Sequence, residues 1–211
     1  FMTGYVIADL LLDNDWFGVK QVVIGSASSK TGFSTAAFIR AAGFEGTLVG
    51  LTSDQNVAFS EALGCYDRVL RYGEVESIAS EPSTYIDIAG DVAVRSRLHH
   101  SLQNKVAQTL LVGATHWDQF GQSVGGEPLP GSEPQVFFAP AQIEKRDGEG
   151  GRGVMMGKAY AASIELLSQL APTLLMESHK GAEACDAIWQ SLLRNQVSGQ
   201  RGVIMSLQAE A

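Results

Sequence analysis

The 211-residue chain is predicted to be an α/β protein of the Rossmann type, a doubly wound, mostly parallel sheet with helices on both faces. Three observations lead there. Short β-branched runs alternate with helical stretches along most of the length, the pattern of successive βα units. The strand-like runs are continuously apolar rather than alternating, so both faces of each strand are buried, as in a parallel sheet. The first of them, Gln21-Val22-Val23-Ile24, stops at Gly25 and passes through Ser26-Ala27-Ser28-Ser29-Lys30-Thr31-Gly32 into a helical run.

Residues 5–13 read as a helix ending near Asp13-Asn14-Asp15, and residues 21–25 as the first strand. A helix over 31–42 is closed by Gly43, a residue suited to the left-handed position after a helix. Thr47 to Leu51 is the second strand. Thr52 through Gln55 resembles a capping box opening a helix that carries Val57, Ala58, Glu61 and Ala62 and stops at Gly64. Arg68 to Arg71 is the third strand and Thr84 to Ala89 the fourth. Gly90 and an Asp91 N-cap then start a helix bearing Val94, Leu98 and Leu102. Gln108 to Val112 is the fifth strand and ends at Gly113. Gly121 to Gly131 is a Gly/Pro-rich loop, and Pro134 to Ala139 a further strand. Gly148 to Gly153 reads as a flexible stretch, 154–170 as a long helix, 182–193 as another, and Gly202 to Leu207 as the last strand. There is no internal repeat and no low-complexity tract.

Bulk composition limits the function without choosing it. A 45% hydrophobic content is enough for a full core, and mean hydropathy of +0.04 fits a globule. The formal charge of −8 and pI near 4.9 argue against a nucleic-acid surface, which needs clustered Lys and Arg. The densest basic group, Glu144-Lys145-Arg146-Asp147, is mixed in sign. No run reaches the ~18–20 apolar residues of a membrane helix, and no signal sequence opens the chain. Cys65 and Cys185 stand far apart, which excludes a disulfide framework and a Cys-type zinc site and suits a reducing cytoplasm. The chain opens on Phe1 and is apolar almost at once, so it reads as the middle of a longer polypeptide.

The glycine turn carries the chemistry. A strand that bends sharply into a helix gathers backbone N–H groups at the positive end of the helix dipole, and small side chains let a phosphate approach them. Three readings stand. A P-loop requires Gly, four residues, then Gly-Lys-Thr/Ser, but here Lys30-Thr31 follows the four residues directly. Nor is there a Walker-B-like acid pair, because Asp87 is followed by Ile-Ala-Gly. The strict Gly-x-Gly-x-x-Gly fingerprint also fails, with Ala27 and Ser28 at positions where glycine is expected. Small residues can still serve, and Gly32 permits close helix-to-strand packing. The third reading is an ordinary βα turn. A dinucleotide is the favoured ligand, with Ser26, Ala27, Ser28, Ser29, Lys30 and Thr31 as its phosphate contacts.

The end of the second strand bears on which dinucleotide. NAD sites usually place Asp or Glu there for the ribose 2′-OH. This strand ends in Leu51-Thr52-Ser53. Hydroxyls in that place tolerate a 2′-phosphate, so NADP(H) is favoured over NAD(H). Thr52 and Ser53 also suit a cap for the next helix, and the two roles are compatible.

No metal ligand set is predicted. His99 and His100 are neighbours on a helix, about 100° apart, and do not share a face, while His179 stands alone and reads as solvated. A short-chain dehydrogenase would need Tyr-x-x-x-Lys, and neither Tyr66, Tyr72, Tyr85 nor Tyr160 has a lysine four residues on.

The order of these features resembles the cofactor half of the medium-chain dehydrogenase/reductase superfamily, in particular its zinc-independent quinone-oxidoreductase-like branch. The matching pieces are the turn Gly25 to Gly32, Ser53-Asp54-Gln55-Asn56 after the second strand, Leu63-Gly64-Cys65 leading to Tyr72, Asp87-Ile88-Ala89-Gly90, Gly113, and Arg201-Gly202-Val203-Ile204-Met205. More narrowly, "SSKTG", "LGCYDRV", "GATHW" and "FFAPAQI" are similar to an uncharacterised bacterial and fungal branch. Asn56 stands where that family has a lysine for the 2′-phosphate. The resemblance implies an interdomain helix or linker over 1–20, a dinucleotide-binding domain over 21–211, and a GroES-like catalytic domain upstream that these residues do not include. It adds Asn56, Tyr72, Ala89, Gly90, Gly113, Ala114 and Thr115 to the cofactor contacts. It places His116 where a proton could be donated after hydride transfer, beside Trp117 and Asp118; the alternative is a histidine on a surface turn. The implied activity is reduction or oxidation of a small-molecule carbonyl, enone or quinone-like substrate in the cytoplasm. The implied assembly is a homodimer through the edge strand around Val136–Ala139. A non-catalytic dinucleotide sensor is the alternative function.

Overall fold

The computed structural model describes residues 1–113, 128–194 and 196–208. The chain divides into two compact units, Phe1–Leu166 and Leu167–Ala211.

The first unit holds α1 (Met2–Asp13), β1 (Gln21–Ile24), α2 (Lys30–Ala41), β2 (Thr47–Thr52), α3 (Val57–Ala62), β3 (Arg68–Arg71), β4 (Ser83–Asp87), α4 (Val92–Leu102), β5 (Val106–Leu111), β6 (Gln135–Val136), α5 (Ala139–Gly150) and most of α6 (Val154–Leu170). Its six strands are ordered β3-β2-β1-β4-β5-β6 and every pairing is parallel. The Rossmann expectation is met, and the strand order is the one usual for that fold.

The reason is in the strand sequences. Residues of β1, β2 and β4 are buried on both faces. Val23, Val49, Leu51 and Tyr85 form one face and pack with Val94, Leu98 and Leu102 of α4, together with Val75 and Ile78. By the two-residue alternation of a strand, Val22, Ile24, Leu48 and Ile86 point the other way, and all four are fully buried. From β1 the sheet grows one way through β2 and the other way through β4 and β5. Right-handed crossovers in opposite directions put α2 and α4 on opposite faces.

Local departures from the sequence reading have local causes. Thr52 is the last residue of β2 and does not cap a helix; Asp54–Asn56 form a 3-10 turn before α3, and neither element has a side-chain cap. β4 ends at Asp87, whose carboxylate accepts the Gly90 amide at 2.8 Å and so turns the chain. β6 has two residues because Ala139-Pro140 begin α5, where the missing proline N–H costs nothing in the first turn. α5 runs into the stretch expected to be flexible and ends at Gly150, leaving residues 151–153 as the break before α6. Its polar face is matched by α1: Arg146 pairs with Asp9 at 2.8 Å and Asp13 at 3.2 Å, Lys145 pairs with Asp13, and Gln142 donates to Asp9 at 2.6 Å.

The second unit is a βαβ piece: β7 (Leu175–Lys180), α7 (Ala182–Leu193) and β8 (Arg201–Ser206), with β8 parallel to β7. The last strand of the sequence reading therefore pairs with a strand that reading did not find. Arg201 grips both Glu177 oxygens, at 2.6 and 2.5 Å, and holds that carboxyl down to about 2.

Candidate functional site

The crossovers leave β1 and β4 in opposite directions, the topology that in open α/β sheets opens a crevice beyond the carboxyl ends of the two strands. One lip is the turn after β1. The Gly25 amide bonds Ile86 O at 2.9 Å, and a Cβ there would lie 3.0 Å from the Tyr85 hydroxyl. Ser26 takes a left-handed conformation at φ 54°, rare for a residue with a side chain. Its N–H donates to the Tyr72 hydroxyl at 3.1 Å. The Ala27 amide is bonded to Leu51 O at 2.9 Å and the Ser29 amide to Ser26 O at 2.8 Å.

Ser29 caps α2, its Oγ accepting the Gly32 amide at 3.0 Å. A Cβ on Gly32 would sit 2.4 Å from Ser26 O, so only glycine lets the first turn of the helix close against the loop. Lys30 and Thr31 occupy that first turn, where backbone N–H groups point out of the helix end. Lys30 is half-buried, which pulls its ammonium below the ordinary lysine value. The loop is also tied to β2: Thr52 Oγ1 donates to Ser28 Oγ at 3.2 Å. Ser53 Oγ accepts from Asn56 Nδ2 at 2.9 Å. The predicted residues Ser26 to Thr31, Thr52, Ser53, Asn56 and Tyr72 thus lie at or beyond the carboxyl ends of β1, β2 and β3.

The opposite lip is the end of β4 and β5. Asp87 Oδ2 lies 2.5 Å from Arg95 Nη1 while Oδ1 accepts the Gly90 amide. Burial pushes the Asp87 carboxyl above the usual value, and the Gly90 amide and Arg95 pull it back. The Val112 amide reaches Asp87 O at 2.8 Å, and a Cβ on Gly113 would meet Ile88 O at 2.4 Å. Gly113 is therefore packed against Ile88, and Ala89 and Gly90 follow Ile88 in the chain beyond the end of β4. Ala114, Thr115 and His116 lie outside the described residues.

Sequence reasoning missed two supporting residues. The Tyr66 hydroxyl donates to Ala27 O at 3.0 Å and holds the loop from β3's side, and Arg95 neutralises Asp87. No motif flags either; both are set by tertiary neighbours. His99, by contrast, is a satisfied core residue. Its Nδ1 lies 2.8 Å from Pro130 O, so that nitrogen carries the proton and Nε2 accepts from Thr109 Oγ1 at 2.9 Å. Among the described residues no group of three or more His, Cys, Asp or Glu is placed to hold a metal ion. Among them, too, no helix is long and apolar enough to cross a membrane.

At Gly25, Gly32 and Gly113 a Cβ would press on the Tyr85 hydroxyl, Ser26 O and Ile88 O, so these points of the two lips accept only glycine without a shift. Solved structures share this fold. The yhdH oxidoreductase from Salmonella enterica, in complex with NADP, matches 96% of the chain and 61% of its own at 16% identity and TM-score 0.54. CurA from Vibrio vulnificus, in complex with NADPH, matches 100% of the chain and 62% of its own at 13% identity and TM-score 0.58. The quinone oxidoreductase from Coxiella burnetii matches 95% and 57% at 16% identity and TM-score 0.58. At such identities the likeness shows the fold alone, and the chain spans about 60% of their length. No curated protein matches. Residues 1–198 match the family described as "Protein of unknown function (DUF2855)", and the chain belongs to that family.

Proposed function

We propose that this chain is the cofactor-binding portion of an NADP(H)-dependent, zinc-independent oxidoreductase acting on a carbonyl, enone or quinone-like substrate. One observation carries the reading: the small-residue turn Gly25–Gly32 stands at the switch point of a β3-β2-β1-β4-β5-β6 sheet, with Gly32 seated on Ser26 O. Ligands of open α/β sheets collect there.

The residues present divide the work. The first turn of α2 and the Ser26–Thr31 loop would hold the pyrophosphate, with Tyr72 able to turn its hydroxyl from the Ser26 amide toward a phosphate oxygen. Thr52, Ser53 and Asn56 would face the adenosine ribose. Ala89, Gly90, Gly113, Ala114 and Thr115 would line the nicotinamide end, and His116 would hold a proton for the substrate. Hydride chemistry is what a nicotinamide supplies when bound; the chain positions and shields it. NADP(H) is favoured over NAD(H) because β2 ends in hydroxyls rather than a carboxylate. The edge strand and the turn after it would form the homodimer contact, with Val136 63% and Phe138 66% exposed. A cytoplasmic location suits two unpaired cysteines.

The test is a titration of the chain with NADPH and NADH, followed by intrinsic fluorescence. Saturable binding of NADPH that is weakened at least tenfold by Gly32→Val is expected. If neither dinucleotide saturates the protein, the reading is rejected. Sedimentation of wild type against Val136→Glu tests the dimer.

A further inference from the structure

We infer that Arg71 is the residue that reads the 2′ position of the adenosine ribose, supplying positive charge for a 2′-phosphate, and that Asp54 opposes it. The inference rests on the dinucleotide reading above and names a selectivity device within that site.

The argument begins with register. β2 and β3 pair in parallel with Thr52 opposite Arg71, so the last residues of the two strands are neighbours. Thr52 and Ser53 are the hydroxyls that the dinucleotide reading sets at the ribose, and the Arg71 guanidinium lies 3.7 Å from Asp54 Oδ1, the residue directly after them. Tyr72, the next residue, already touches the phosphate loop through the Ser26 amide. Chain continuity therefore sets Arg71 at the same mouth.

The competing cations are committed elsewhere. Arg97 grips both oxygens of Glu76, at 2.7 and 2.6 Å, and also donates to the carbonyls of Tyr72 and Gly73. That fourfold hold makes it a clamp for the turn after β3. Arg68 sits at the amino end of β3, away from the mouth. Lys30 stands in the first turn of α2, on the pyrophosphate side.

Arg71 is held far more loosely. Its guanidinium lies 3.1 Å from Glu74 Oε1 and 3.7 Å from Asp54 Oδ1, and all three side chains face solvent, at 49%, 43% and 86% exposure. Exposed pairs of this kind contribute little and exchange partners readily. A phosphate offers the planar guanidinium fork a matching pair of acceptors. Asp54 is the counterweight. A carboxylate just past β2 suits a ribose 2′-OH and repels a 2′-phosphate, so the two side chains set selectivity by opposing charge.

The experiment titrates the full chain with NADPH, NADH, 2′,5′-ADP and 5′-AMP in dilute buffer, using wild type, Arg71→Gln, Arg71→Lys and Asp54→Asn. Circular dichroism confirms that each variant is folded. Arg71→Gln is expected to weaken NADPH and 2′,5′-ADP at least tenfold while NADH and 5′-AMP stay within twofold. Arg71→Lys should fall between, keeping charge and losing the fork. Asp54→Asn should tighten NADPH at least threefold and weaken NADH. If wild type binds the dinucleotides and Arg71→Gln changes both equally or neither, the assignment of Arg71 is wrong and the dinucleotide site survives. If wild type binds none of the four probes, both fall.

Discussion

Arg95 Nη1 lies 2.5 Å from Asp87 Oδ2, with the two side chains 3% and 0% exposed. This pair ties α4 to the end of β4 and fixes the carboxylate that caps Gly90. Breaking one side of a buried ion pair leaves the other charge uncompensated, at a cost of about 3–5 kcal/mol. Arg95→Met is therefore expected to lower the urea midpoint severely. The double variant Arg95→Met/Asp87→Leu should recover much of the loss, because no buried charge remains. A double variant as unstable as the single one would contradict this account.

The left-handed Ser26 makes a prediction of opposite sign. A residue with a Cβ at φ 54° carries about 1–2 kcal/mol of strain that glycine lacks. Part of that gain is offset by the greater freedom of glycine in the unfolded chain. Ser26→Gly should stabilise the fold by about 1 kcal/mol, a rise of roughly 2–4 °C in midpoint for a chain of this size. Gly32→Ala should do the reverse. Its Cβ would meet a carbonyl oxygen at 2.4 Å, backbone that cannot swing aside, and overpacking of that kind costs about 1–3 kcal/mol. Thermal melts of the two variants check both signs.

His99 predicts a pH dependence. Burial lowers its pKa below the ordinary 6.5, so the folded protein disfavours the imidazolium. The unfolded chain then binds the proton more readily, and stability rises with pH across that window. The stabilisation is present above the ordinary value and is lost as pH falls from there toward the depressed one. His99→Gln cannot take up the proton. Urea midpoints from pH 7.5 to 5 should therefore slope less for the variant than for wild type.

Cys65 should be inert. Burial pushes its thiol up to about 12, and the thiolate is the reactive form. In native protein at pH 8 a disulfide reagent is expected to label the half-buried Cys65 far more slowly than in denaturant. Rapid native labelling in a Cys185→Ala background would refute it.

The readable part of this protein is its βα rhythm. Continuous apolar strands at Val22-Val23-Ile24 and Leu48-Val49 demand burial on both faces, and glycines at 25 and 32 mark a close helix-to-strand turn. Local chemistry is enough for that, because strand burial and turn geometry depend on neighbours along the chain. It also sufficed to name Asp91 as a cap, which accepts the Ala93 and Val94 amides. It did not suffice for α5, whose sequence is polar and interrupted by glycine. That helix is held by carboxylates on α1, more than a hundred residues earlier in the chain. Arg71, Tyr66 and Arg95 were equally silent in the sequence. Each acquires its role from a partner on another element: Thr52 across a strand pair, the Ala27 carbonyl on the loop after β1, Asp87 at the end of β4. Period and turn residues are written along the chain, so the sequence by itself determined the layers and the place of the crevice. Charge pairing depends on which elements become neighbours, and only the tertiary structure decided which side chains arm that crevice.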